Sequence, residues 1–135
     1  MKQREIELLS LRPEIPSARV SDNMSREEHF QNKTLRPVIK LQNDLFVEVF
    51  KNYIKKHKNS FHSYTIEKKL IFIENAIQRD IKFRNSLKGI VIGQFTVQEY
   101  LVYIENSSAL NKRMMNLLKE RIFSNIQLLE QEMVY

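Results

Sequence analysis

Glycine is scarce in this chain: its 135 residues include only two, Gly89 and Gly93, four positions apart. Loops that cradle phosphates or dinucleotides need several clustered glycines, because the backbone must bend sharply and approach the ligand closely. The chain has no such cluster, no Gly-x-Ser-x-Gly motif and no Walker loop. The sequence therefore excludes the common glycine-based nucleotide and hydrolase sites.

Cysteine is absent, which excludes disulfides, thiolate zinc sites, iron–sulfur clusters and a cysteine nucleophile. The chain also lacks a run of about 18 apolar residues, so the sequence predicts no membrane-spanning helix. The N-terminal residues have no apolar core of the kind found in a signal peptide. From this composition we expect a cytoplasmic protein.

The basic excess is mild, with a formal net charge of +6. Residues 1–60 hold 12 Lys and Arg against 8 Asp and Glu, and residues 61–135 hold 10 against 8. The excess is spread along the sequence, whereas dedicated nucleic-acid binders concentrate it on one face. This balance favours an ordinary basic surface and leaves nucleic-acid binding as an alternative.

The first 24 residues differ from the rest of the chain. They contain two of the three prolines and show little helical periodicity. A short helix over residues 3–11 fits the spacing of Ile6 and Leu9, and Pro13 would end it. We interpret residues 1–24 as an N-terminal arm and residues 25–135 as a single folded domain.

Amphipathic helices with recognisable start signals fill the domain. Ser25 begins a capping-box pattern that predicts a short helix over residues 25–33. Thr34 is predicted to cap a second helix, with Pro37 in its first turn and an end near His57. The sequence predicts a broad apolar face on this second helix.

The third predicted helix begins after Thr65 and runs to about Gln94. Its apolar residues form two stripes, which is typical of a helix at the centre of a bundle. Gly93 or Gly89 is interpreted as a left-handed cap at the end of this helix. The alternative is close approach of a neighbouring helix at the glycine pair.

Two more helices complete the predicted fold. A second capping box, Thr96-Val-Gln-Glu99, opens a short helix. Ser107 or Ser108 is predicted to cap the last helix, whose apolar stripe runs from Leu110 to Met133. No segment sustains the period-two alternation of a strand, so we predict an all-α, four- or five-helix bundle.

A polar cluster interrupts the third predicted helix just before Gly89. A charged group carried toward a bundle interior must be paired or must line a wet cleft. The cluster is interpreted either as an ion-pair and hydrogen-bond network that fixes helix register or as a pocket for a small anionic or polar ligand. The candidate ligand-binding residues are Asp80, Arg84, Asn85, Asn111 and Arg113.

A basic face lies at the end of the second predicted helix, formed by Lys51, Lys55 and Lys58. Nucleic-acid binders interleave lysines with aromatic residues in this way, but basic residues are also common at a solvated helix C-terminus. We keep these lysines as the candidate nucleic-acid contacts. The three histidines lack the spacing of a metal site, so we predict no metal and no cofactor.

Five segments carry a resemblance to a known family: His29–Pro37, Gln42–Asp44, Phe83–Gly89, Gly93–Thr96 and Asn106–Met115. Over about residues 20–125 the chain resembles a family of small helical proteins from bacteria of the Bacteroidota kind, which has no assigned function. Some members carry a glyoxalase label. Glyoxalase I-type folds are built on βαβββ sheets with metal ligands on strands, and the residues here predict no such strands.

These observations favour binding over catalysis, and no catalytic residue is predicted. The two-sided third helix and the apolar surplus of the last helix predict a helical interaction protein that forms a homodimer through its long helices. A ligand sensor or an enzyme with a polar cleft near Asp80 and Arg84 is the alternative. Weak nucleic-acid binding is a second alternative.

Overall fold

The computed structural model describes residues 2–57 and 60–130. This part of the chain forms eight α-helices and contains no strand, which confirms the all-α prediction. The helices are α1 (Gln3–Leu11), α2 (Arg26–Phe30), α3 (Arg36–Leu41), α4 (Asn43–Lys56), α5 (Ile66–Gln78), α6 (Ile81–Ile92), α7 (Val97–Tyr103) and α8 (Ser107–Ser124). There are more helices than predicted because several predicted helices are interrupted.

The helix predicted to begin at Thr34 is continuous with the one before it. Right-handed helical backbone runs from α2 through a π-helical turn at Gln31–Leu35 into α3. The prediction that Thr34 caps a helix is therefore wrong: its side chain is buried and its hydroxyl donates to Glu99. The helix is interrupted at Gln42 (φ −91°, ψ 9°), and α4 follows directly.

The third predicted helix is two helices, α5 and α6, separated at Arg79 and Asp80. Asp80 has an extended backbone (φ −84°, ψ 96°), and its side chain accepts from the N–H of Phe83 as the N-cap of α6. A hydrogen-bonding side chain thus ends one helix and begins the next. Because the break shifts the helical register, Ile81 is 70 % exposed and does not continue the buried stripe of α5.

Neither glycine has the predicted role. Gly93 follows the end of α6, but its backbone is right-handed (φ −58°), so it is not a left-handed cap. Gly89 lies inside α6, and a Cβ placed there meets no atom within 4 Å. The alternative, close approach of a neighbouring helix, is therefore also wrong at Gly89.

Three of the predicted helix starts are confirmed. Ser25 accepts from the N–H of Glu28, Thr65 accepts from that of Lys68, and Thr96 forms a complete capping box. Besides Thr34, the predicted start at Ser107 or Ser108 is wrong, because Asn106 occupies the N-cap position of α8 and its side chain makes no capping bond there.

The core is a single cluster to which most helices contribute, and α8 supplies much of it. The buried apolar residues of α8 are Leu110, Met114, Met115, Leu117, Leu118 and Ile122. The apolar surplus of the last helix is thus covered within the chain itself. A 3₁₀ segment, Ile126–Glu130, follows α8, and Met133 lies outside the described residues.

The N-terminal arm contains the predicted helix over residues 3–11, now α1, and side-chain contacts join it to α7. Glu5 accepts from the N–H of Val97 (3.0 Å), and Arg4 donates to the carbonyl of Gly93 (3.3 Å). These contacts place α1 beside the corner between α6 and α7.

Candidate functional site

Asp80 organises the junction of α4, α5 and α6. Its Oδ1 accepts from the N–H of Phe83 (3.2 Å), and its Oδ2 accepts from the hydroxyl of Tyr53 on α4 (3.0 Å). Nε2 of His57, at the end of α4, lies 3.9 Å from the same Oδ2. Both carboxylate oxygens are therefore engaged within the chain.

These contacts fix the protonation states of the pair. The N–H of Phe83, followed by the Tyr53 hydroxyl, lowers the pKa of Asp80. Burial, followed by the hydrogen bond to Asp80, raises the pKa of Tyr53 to about 12. Near neutral pH the carboxylate is charged and the phenol is a neutral donor, so this pair is suited to holding α4 against α6 rather than to carrying protons.

Three rings stack beside the Asp80 carboxylate. Tyr53 lies between Phe83 of α6 (centroids 4.1 Å apart) and His57 (4.0 Å). Nδ1 of His57 is 2.9 Å from the carbonyl oxygen of Tyr53, which orients the outer ring. The His57 side chain is 44 % exposed.

Two basic segments meet at this junction. Residues 51–57 hold three lysines and no acid, and residues 79–92 hold four Lys or Arg and only Asp80 as an acid. Lys51 pairs with Glu48 of the same helix, so Lys55 and Lys56 are the lysines of the first segment without an ion pair among the described residues.

An open depression of about 540 Å³ lies within this basic region. Arg79 and Lys82 line it together with Asp80, and Tyr53 and Phe72 supply apolar surface. Neither Arg79 nor Lys82 forms an ion pair among the described residues. The depression thus offers positive charge without an internal partner.

The structure does not join the five predicted ligand-binding residues into one network. Asn111 accepts from the hydroxyl of Tyr103, and Arg113 donates to the side chain of Gln31 (3.0 Å). Within the described residues no hydrogen bond or ion pair connects either of them to Asp80, Arg84 or Asn85. Arg84 is half-buried and Asn85 is exposed on α6.

The predicted nucleic-acid lysines are in different environments. Lys51 is 18 % exposed and pairs with Glu48 (3.3 Å). Lys55 is exposed. Lys58 lies outside the described residues.

Sequence reasoning missed a network around Glu99. Arg12, whose side chain is 7 % exposed, donates to both carboxylate oxygens of Glu99 (2.6 and 2.7 Å) and to the carbonyl of Gln94 (2.8 Å). The hydroxyl of Thr34 and the N–H of Thr96 donate to the same carboxylate, each at 2.8 Å. The capping box predicted from sequence was the only signal, and it did not reveal a partner 87 positions away.

The charge on Glu99 depends on this network. Burial acts to raise its pKa, but the hydrogen bonds from Arg12, Thr96 and Thr34 outweigh burial and lower the pKa. The carboxylate is therefore ionised when it holds the arm against α7.

The outer face of α7 is apolar and exposed. Val97, Tyr100, Leu101 and Ile104 follow helical i, i+3, i+4, i+7 spacing, with the last residue just beyond the α-helix, and their exposures are 56, 45, 47 and 50 %. This spacing normally marks the side of a helix that packs against a core. Here the inner side of the helix buries Tyr103 instead.

The described residues, 2–57 and 60–130, were compared with the requirements of a metal site and of a membrane-spanning helix. No group of three His, Asp or Glu residues in these ranges is arranged to hold a metal ion. No helix in them has both the length and the hydropathy needed to cross a bilayer.

Comparisons with protein-family models, curated proteins and solved structures find no match, so the Bacteroidota resemblance stays a prediction.

Proposed function

We propose that the protein is a helical interaction protein that pairs with a second copy of itself through α1 and α7. The single observation that carries the proposal is the exposed stripe of Val97, Tyr100, Leu101 and Ile104 on α7. Exposed apolar patches of this kind mark interaction sites on soluble proteins. The cytoplasmic location predicted from composition is kept with this proposal.

The long helices expose less apolar surface to a partner than the sequence analysis predicted. The apolar side of α8 is buried in the core of the chain. Helix α7 spans only about 10 Å, so an interface also needs the neighbouring α1. That helix adds Ile6 and Leu9, which lie on one side of it and are 48 and 43 % exposed.

The available area suits a weak dimer. Taking roughly 150–200 Å² for a large apolar side chain, these six residues leave on the order of 500 Å² uncovered. A standard interface takes about 800 Å² from each partner, and weaker complexes take less. A polar rim around the stripe supplies the remainder.

Charge supports a second copy as the occupant. Residues 2–11 hold two basic and two acidic side chains, and Glu99 is neutralised by Arg12. The face is therefore close to neutral although the chain carries +6. Two copies can meet here without strong like-charge repulsion, in the self-complementary arrangement of a twofold dimer.

Light scattering coupled to size exclusion tests the proposal. At about 100 μM, a concentration at which a weak dimer is populated, we expect a mass near twice the 16.2 kDa of one chain. Leu101→Glu should return the monomer, whereas Ile71→Glu, at a residue 58 % exposed on α5, should leave the dimer intact. A monomeric wild-type protein at this concentration, or equal dissociation of both variants, would refute the α1–α7 interface.

A further inference from the structure

The geometry points to a binding surface for single-stranded nucleic acid at the junction of α4, α5 and α6. This inference is independent of the proposed self-association, because it uses different residues. It rests on two observations: the exposed basic side chains at the junction, which form no ion pair among the described residues, and the exposed side chain of His57 stacked on Tyr53.

The charge arises from chain segments that only the fold brings together. The hydrogen bond from Tyr53 to Asp80 and the edge-to-face contact of Phe50 with Phe83 (5.1 Å) hold α4 against α6. Lys56, which follows Tyr53 by three positions on the same side of α4, thereby lies at the same junction as Arg79 and Lys82. All three are exposed and none forms an ion pair among the described residues. A polyanion that contacts them releases counterions and gains affinity.

The rings decide which polyanion fits. Tyr53 is stacked on His57 and tilted against Phe83, and a nucleobase placed on the exposed side chain of His57 would extend this series of rings. Stacking on aromatic side chains is the main sequence-tolerant contact in single-strand binders. Bases in a duplex are already stacked on each other, so they cannot use this ring without being unpaired.

The depression beside the stack accommodates the backbone. Arg79 and Lys82 line this depression together with the rings of Tyr53 and Phe72, and Asn75 adds a polar group. The Asp80 carboxylate is charged, but Arg79 and Lys82 on either side of it along the chain outnumber it in the depression. The site thus combines a stacking platform with adjacent cations.

Fluorescence anisotropy with a dye-labelled 20-nucleotide oligo-dT tests the inference. We expect binding at low salt, with log K falling against log salt at a slope of about −2 for three phosphate contacts. Lys56→Glu with Lys82→Glu should abolish binding. Lys40→Glu with Lys112→Glu changes the net charge equally at exposed sites on α3 and α8 and should keep most of it.

The stacking contribution is tested separately. His57→Ala should weaken oligo-dT binding about tenfold but leave heparin, a polyanion without bases, unaffected, and His57→Phe should retain oligonucleotide affinity. Circular dichroism confirms that each variant is folded. The inference is overturned if the oligonucleotide does not bind at low salt, if a duplex binds with equal affinity, or if the two lysine pairs lose binding equally. It is also overturned if AMP displaces the oligonucleotide at equal base concentration, because that result indicates a mononucleotide pocket.

Discussion

Replacing Arg12 with methionine should destabilise the protein by releasing its N-terminal arm. Arg12→Met removes two hydrogen bonds to Glu99 and one to the carbonyl of Gln94. It leaves the Glu99 carboxylate, 15 % exposed, without a cation. Breaking a buried ion pair by removing one partner typically costs about 3–5 kcal/mol.

The expected loss is smaller, about 2–3 kcal/mol, because the arm is terminal and its detachment lets Glu99 regain water. Glu99 also keeps its bonds from Thr34 and Thr96. Urea unfolding followed by circular dichroism at 222 nm measures the change in the free energy of unfolding. Hydrogen exchange should show faster exchange in α1 than in α4. Arg4→Met is the control, since Arg4 is half exposed and its bond to Gly93 is long; we expect less than about 0.5 kcal/mol.

The pH dependence gives a second readout of the same pair. In the folded protein the pKa of Glu99 is below the ordinary value of 4.5, so its contribution to stability is present above pH 4.5 and is lost as the pH falls through the folded pKa. Arg12→Met raises that pKa. The stability gap between wild type and variant should therefore be full at neutral pH and narrow below pH 4.5. A variant within about 0.5 kcal/mol of wild type at pH 7, or a gap that widens in acid, contradicts this account of the arm.

Two further substitutions test the α6 helix. Gly89→Ala should raise the free energy of unfolding by about 0.5–1 kcal/mol, because Gly89 is inside a helix and a Cβ there meets no atom within 4 Å. A loss of stability in the same urea assay would show that position 89 has no room for a methyl group. Asp80→Ala should cost about 1 kcal/mol as a lost N-cap. Asp80→Ala should also lower the pKa of Tyr53 from about 12. Ultraviolet titration of the phenol measures this change, and an unchanged Tyr53 titration would contradict the hydrogen bond to Asp80.

Local signals made several elements predictable from sequence. The starts at Ser25, Thr65 and Thr96 depend on a side chain and an N–H three residues apart, and α1 ends before Pro13. The break at Asp80 also has a local cause, an N-cap aspartate. It was missed because continuous apolar spacing on both sides favoured a single helix.

The candidate site was less predictable for a physical reason. Sequence analysis identified the polar cluster near Asp80 and the lysines of α4 as separate features. The hydrogen bond that joins them spans 27 positions, and no periodicity encodes a contact at that distance. The same limit hid the partner of Glu99 and the role of Thr34.

The sequence by itself determined the helical class, the absence of cysteine chemistry and the caps that begin three helices, because these depend on composition and on neighbours within one helical turn. Only the tertiary structure decided which apolar residues are buried and which charges meet. The packing of α4 against α6 brings basic residues of both helices to one junction, and the core buries the apolar side of α8 while leaving that of α7 exposed. Burial and charge clustering are properties of contacts between distant segments, and those contacts exist only after the helices have packed.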